Sequence, residues 1–176
     1  MNTWEKAQGR ITKAWSRGDY EAALSELDAL LQEPAFRTRD QALLYSGLIK
    51  EDRGDLAGAM KDWEEALNHT EGASYSRYVS QRHLGAAYEK VGPREEAMRW
   101  YREALRTCAE NGEFAGGVAL QSYLELNRGM ISRDDLVVVE AVVRQSWEVL
   151  DLPGEPDLGD LATTIGVLAK RAMDPD

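Results

Sequence analysis

Leu56-Ala57-Gly58-Ala59-Met60-Lys61-Asp62-Trp63-Glu64-Glu65-Ala66-Leu67 and Arg94-Glu95-Glu96-Ala97-Met98-Arg99-Trp100-Tyr101-Arg102-Glu103-Ala104-Leu105 carry one pattern twice. Ala-Met, then an aromatic, then Glu-Ala-Leu recur at identical offsets. A glycine stands just ahead of each stretch, Gly54 and Gly92. Two more, Gly18 and Gly129, extend the series, with spacings of 36, 38 and 37 residues. Each glycine follows a helix-like stretch and precedes another helix start. Glycine suits that place because it adopts the left-handed backbone that ends a helix. The pairs that follow are Asp19-Tyr20, Asp55-Leu56 and Pro93-Arg94. Asp caps a helix N-terminus well, and Pro suits its first positions.

Small residues mark where two antiparallel helices cross closely. Gly47 with Ala59 and Ala66, and Gly85 with Ala97 and Ala104, supply them. Trp63 and Tyr101 are then expected to fill the gap towards the neighbouring hairpin. One hairpin cannot bury its apolar face alone, so at least three are expected to stack.

On these residues the chain resembles the tetratricopeptide repeat family. The third repeat matches the family's pattern at Leu84, Gly85, Tyr88, Gly92, Ala97, Tyr101, Ala104 and Leu105. The second matches at Gly47, Gly54, Ala59, Trp63, Ala66 and Leu67, with Lys50 in place of the tyrosine. The first matches at Gly18, Asp19, Tyr20 and Ala23, and departs at Ile11 and Leu30, where small residues are usual. The fourth, around Val118 to Leu150, keeps only the apolar pattern. The resemblance implies an all-α fold, an α-α superhelix or solenoid of about four hairpins plus a C-terminal capping helix. The expected repeats are 4–34, 38–70, 74–110 and 114–150 within a single domain, 1–176. The period exceeds the common value of about 34 residues, so the longer-repeat type is implied.

The last third of the chain supplies the expected cap. Ser132-Arg133-Asp134-Asp135 reads as an N-cap with an acidic first turn. Val137-Val138-Val139 is β-branched, yet the apolar run continues to Trp147 at helical length and reads as a buried helix. Pro153-Gly154-Glu155-Pro156 is a loop. Over 157–173, Leu158, Leu161, Ala162, Ile165, Leu168, Ala169 and Ala172 form one face of an amphipathic helix. Asp160, Thr163, Thr164, Lys170 and Arg171 fall on the other. That helix is a cap on the last hairpin or, alternatively, a dimerisation helix.

At 176 residues and 43% apolar, the chain has material for a core. It also carries a formal charge of −10. Residues 1–70 are net −4, 71–113 net 0 and 114–176 net −6. An acidic protein repels phosphate, which argues against nucleic acid and anionic membrane surfaces as partners. No run nears the ~20 apolar residues of a membrane span. Met1-Asn2-Thr3-Trp4-Glu5-Lys6 lacks the pattern of a signal peptide, and a cytoplasmic protein is expected. Asn68-His69-Thr70 fits a glycosylation acceptor without that context. The single cysteine, Cys108, reads as a buried structural thiol.

Catalytic chemistry is not in evidence. His69 and His83 have no partner at metal-ligand spacing, so no metal and no cofactor are expected. Neither a nucleophile elbow nor a phosphate-binding loop is present. Glu64-Glu65 and Glu95-Glu96 sit on helix surfaces. No catalytic residue is assigned, and the expectation is a non-enzyme.

The resemblance places ligand contacts on the first helix of each hairpin. It implies a peptide-binding groove of Thr12, Trp15, Gln41, Tyr45, Leu48, Arg82 and His83. Gln8, Leu44, Val79 and Ala86 share those registers, and Leu120 and Tyr123 are candidates in the fourth. Leu44 and Leu48 are alternatively core between hairpins, and His83 a packed, hydrogen-bonded histidine. Where the family clamps a terminal carboxylate with paired Lys and Asn, this chain has Gln8, Thr12, Tyr45, Val79 and His83. That clamp is not implied. The mixture suits an extended or helical segment with apolar anchors, oriented at Arg82. The expected function is a protein-interaction scaffold or adaptor, as monomer or homodimer. The alternatives are a self-assembling structural protein and a small cytosolic chaperone for a secreted substrate.

Overall fold

A computed structural model describes residues 3–128 and 130–173, and among them it contains nine α-helices and no strand. Gly129, the last glycine of the periodic series, lies outside the described residues. The helices group into two compact units, one ending at Thr70 and the other beginning at Glu71.

The first unit holds α1 (Thr3–Trp15), α2 (Tyr20–Gln32), α3 (Arg39–Asp52) and α4 (Leu56–Asn68). Two turns of one design close its hairpins. Gly18 and Gly54 have φ of 75° and 89°. In each turn the following aspartate's N–H reaches back to a carbonyl five residues earlier, Asp19 to Ala14 and Asp55 to Lys50. The aspartate side chain then caps the next helix, Asp19 on the Ala22 N–H and Asp55 on the Gly58 N–H. One short segment thus satisfies the orphan carbonyls of one helix and the orphan N–H groups of the next.

The second hairpin closes on glycine. Gly47, Ala59 and Ala66 are buried, and the Trp63 indole lies directly on Gly47. Lys50, standing where the family's tyrosine is expected, pairs with the buried Asp62 of α4 at 2.6 Å. In the first hairpin Ile11 and Leu30 hold the helices apart. Both are core residues, and α1 and α2 touch over less of their length than α3 and α4.

The second unit holds α5 (Tyr75–Val91), α6 (Arg94–Asn111), α7 (Gly117–Leu126), α8 (Arg133–Val149) and α9 (Leu161–Met173). The α5–α6 hairpin repeats the device, with Gly85 under the ring of Tyr101 and Ala97 and Ala104 fully buried. In both units, then, the aromatic packs first on its own hairpin's glycine, where the sequence suggested the neighbouring hairpin. The Tyr101 hydroxyl does reach further, meeting Glu89 on α5 and Ser122 on α7.

Gly92 differs from Gly18 and Gly54. Its backbone is extended, φ −125° and ψ −175°, and not left-handed. Space is what requires glycine there: a Cβ would stand 2.3 Å from Cδ1 of Tyr88. Proline follows, and its fixed φ leads straight into α6.

The last three helices depart from a simple hairpin. α7 packs more extensively on α9 than on α8. The cause is Gly117, whose missing side chain lets the α9 backbone approach; a Cβ there would lie 2.8 Å from the Leu168 carbonyl. Ser132 caps α8 as expected, accepting from the Asp135 N–H. The valine run is helical and buries Val139, Val142 and Val143. On α9, Ile165, Leu168 and Ala169 are buried, but Thr164 is buried too and Ala162 is exposed. The expected face is thus rotated by about one position. Thr164 tolerates burial because its hydroxyl donates to the Asp157 carbonyl at 2.8 Å. That buried face packs against α7 and α8.

Candidate functional site

In the first unit the residues singled out from sequence gather where α1 runs beside α3. Gln41, Tyr45, Leu48 and Asp52 fall at helical spacing along α3. Tyr45 is half-buried and stands edge-on to two indoles, Trp4 at 5.4 Å and Trp15 at 6.2 Å between ring centroids. Its hydroxyl accepts from Gln8 Nε2 at 2.8 Å. The Trp15 indole N–H donates to an Asp52 carboxylate oxygen at 2.7 Å. Thr12 is exposed, and Gln41 and Leu48 are half-buried. Leu44 is core, at 4% exposure. The aromatic anchors are therefore partly engaged with each other, and what faces outward is mixed and polar.

Two open depressions flank this strip. One, of about 550 Å³, runs along α1 and is lined by Glu5, Gln8, Gly9, Thr12, Lys13 and Ser16. The other, of about 400 Å³, lies where α1 and α3 end and is lined by Thr12, Trp15, Ser16, Gly18, Tyr20 and Asp52. The sequence does not mark Asp52 or Tyr20 as contact residues. Asp52 was recoverable, since it continues the 41-45-48 spacing by one more step.

In the second unit Arg82 and His83 are half-buried neighbours on α5. The Arg82 guanidinium approaches His83 Nε2 at 2.6 Å. An arginine is always a donor, so in this contact Nε2 serves as the acceptor. Val79, Leu120 and Tyr123 are buried, at 6%, 0% and 1% exposure. They are core, which corrects their reading as groove residues; Ala86 is half-buried. The apolar pattern of α7 reads the same from either side, so sequence could not separate its core from its surface.

The most elaborate polar cluster is inside the second unit. One Asp135 oxygen accepts from Tyr123 Oη at 2.5 Å, Ser132 Oγ at 2.6 Å and Arg102 Nε at 3.0 Å. Burial alone would raise this carboxyl, but the hydrogen bonds from Ser132, Tyr123 and Arg102 outweigh it and hold it low. Burial, with the aspartate, pushes the Tyr123 phenol up. A carboxylate held ionised and a phenol held protonated make a structural knot and not an acid–base pair. The adjoining void is small, about 10 Å³. Tyr78 and Tyr101 are likewise pushed up by burial.

Cys108 is fully buried. Its thiol donates to the Phe114 carbonyl at 3.2 Å, and burial pushes it up to about 12. It is structural, as read from the sequence. His69 caps the end of α4 and is exposed. Among the described residues no group of three or more His, Cys, Asp or Glu side chains is placed to hold a metal ion. Among them also, no helix is long and apolar enough to cross a membrane.

No protein-family model, curated protein or solved structure matches this chain.

Proposed function

We propose that the chain is a tetratricopeptide-type repeat protein, its hairpins stacked as a solenoid, that works as a non-enzymatic scaffold in the cytoplasm. It holds a peptide or a partner helix on the first helices of its hairpins. The observation that carries this reading is one packing device used in both units, Gly47 under Trp63 and Gly85 under Tyr101. A glycine–aromatic contact at a fixed register is what a repeated hairpin needs to bring its two helices together. The pairs that meet are the ones the sequence offsets bring into register, which supports the family resemblance.

Contact residues follow from that reading. In the first unit they are Thr12, Trp15, Gln41, Tyr45 and Leu48, with Gln8 and Asp52 alongside. In the second unit they are Arg82 and His83 on α5. Half-buried aromatics with polar edges are economical contacts, since little side-chain entropy remains to be lost on binding.

Photo-crosslinking tests the proposal. A photoreactive residue at Thr12 and a control at Glu64, exposed on α4, are compared in extracts of the source cells. A discrete partner captured from Thr12 and not from Glu64 is expected. Equal capture from both, or capture of further copies of this chain alone, contradicts it.

A further inference from the structure

The depression where α1 and α3 end has a chemistry of its own. Its walls are two aromatic residues, Trp15 and Tyr20, two hydroxyl side chains, Thr12 and Ser16, and one carboxylate, Asp52. Among the described residues no basic side chain lines it. The Trp15 N–H occupies one carboxylate oxygen of Asp52 at 2.7 Å, which orients indole and carboxylate together. Among the described residues the second oxygen has no hydrogen-bond or ion-pair partner. Asp52 closes α3, and Trp15 closes α1. Two helix C-termini, with their partial negative charge, therefore end beside the same carboxylate. Arg53, the next residue in the chain, does not neutralise it. Its guanidinium is turned away to Glu21 at 2.7 Å and Asp55 at 3.2 Å.

Aromatic side chains, a carboxylate and converging helix C-termini together favour one kind of guest, an organic cation. The volume, about 400 Å³, admits a side chain. The formal charge of −10 draws a basic partner towards the chain from a distance. We propose that this depression receives a lysine or arginine side chain of a partner protein. The proposal rests on the scaffold reading and adds to it the partner's chemistry: the bound segment is basic, and its cation seats on Asp52 between Trp15 and Tyr20.

The test is an NMR titration of the full chain with a hexalysine peptide at about 150 mM salt, where weak surface attraction is screened. The reporter is the Trp15 indole N–H signal, assigned by its absence from Trp15→Phe. A saturable shift is expected, with none from hexaglutamate. Asp52→Asn keeps an acceptor for the indole but removes the charge, and affinity should fall roughly tenfold or more. Thr12→Lys, at an exposed position, should block the site from within and serves as the second variant should Asp52→Asn not fold. No shift, or the same affinity in the variants, overturns the proposal. Spermidine binding as tightly as hexalysine overturns the assignment to a peptide. A partner captured at Thr12 while hexalysine leaves Trp15 unmoved leaves the scaffold reading standing and removes the cation site.

Discussion

The indole of Trp63 lies so close on Gly47 that a Cβ at residue 47 would stand 2.3 Å from Nε1. Tyr101 sits on Gly85 in the same way, with 2.7 Å to Cε1. Both rings are buried, at 0% and 1% exposure, so neither can swing clear. Gly47→Ala and Gly85→Ala should each destabilise by about 1–3 kcal/mol through overpacking, despite alanine's better helix propensity. Gly9, mid-helix in α1, has nothing within 4 Å of a built Cβ. Gly9→Ala should stabilise by roughly 0.5–1 kcal/mol. Urea unfolding of the three variants checks the sign of each.

The turn glycines separate by cause. At Gly54, φ is 89°, so Gly54→Ala carries the left-handed penalty of about 1–2 kcal/mol, and Gly54→Asn should recover part of it. At Gly92 the backbone is extended and the obstacle is Tyr88. Asn should there be no better than Ala, and pairing Gly92→Ala with Tyr88→Ala should relieve the clash. Melting temperatures of the four single variants and the double variant decide it.

These two glycines also show what sequence could tell. Helix ends among the described residues are written in local chemistry: Asp19, Asp55 and Ser132 as caps, Gly18 and Gly54 as stops. Gly92 was legible as a boundary but not as a clash, since Tyr88 enters only through tertiary packing. The partner of α7 was not legible either. It depends on Gly117 admitting the α9 backbone, a contact between helices far apart in the chain.

Acid should selectively weaken the second unit's knot. Asp135 is held below its ordinary value in the folded protein, so its stabilisation is present above the unfolded pKa, near 4. It is lost as pH falls through the lower, folded value. Asp135→Ala should cost about 2–3 kcal/mol at pH 7, because Tyr123, Ser132 and Arg102 lose a charged acceptor. The gap from wild type should narrow below pH 4. Stability measured against urea at pH 7 and at stepwise lower pH tests the direction.

Cys108 should resist alkylation. With the thiol buried and pushed up to about 12, little thiolate exists at pH 8. Iodoacetamide should leave the native protein unmodified and label it fully in urea, read by mass. Rapid native labelling would contradict the placement.

The candidate site was legible in part. The family resemblance implied Gln41, Tyr45 and Leu48 on α3 but not Asp52, one further step along the same spacing. It did not tell Leu44 from Leu48, which differ by one helical turn and only in which of them meets the core. Nor could it show that Trp15 and Tyr45 engage each other, because that contact joins two helices.

The most direct measurement is the affinity of the partner captured through Thr12, titrated into wild type, Thr12→Arg and Glu64→Arg. Both positions are exposed, so neither change should move the urea midpoint. A loss of roughly tenfold or more for Thr12→Arg, with Glu64→Arg near wild type, is the expected result. Equal affinity for all three proteins would contradict a scaffold that binds through its first helices.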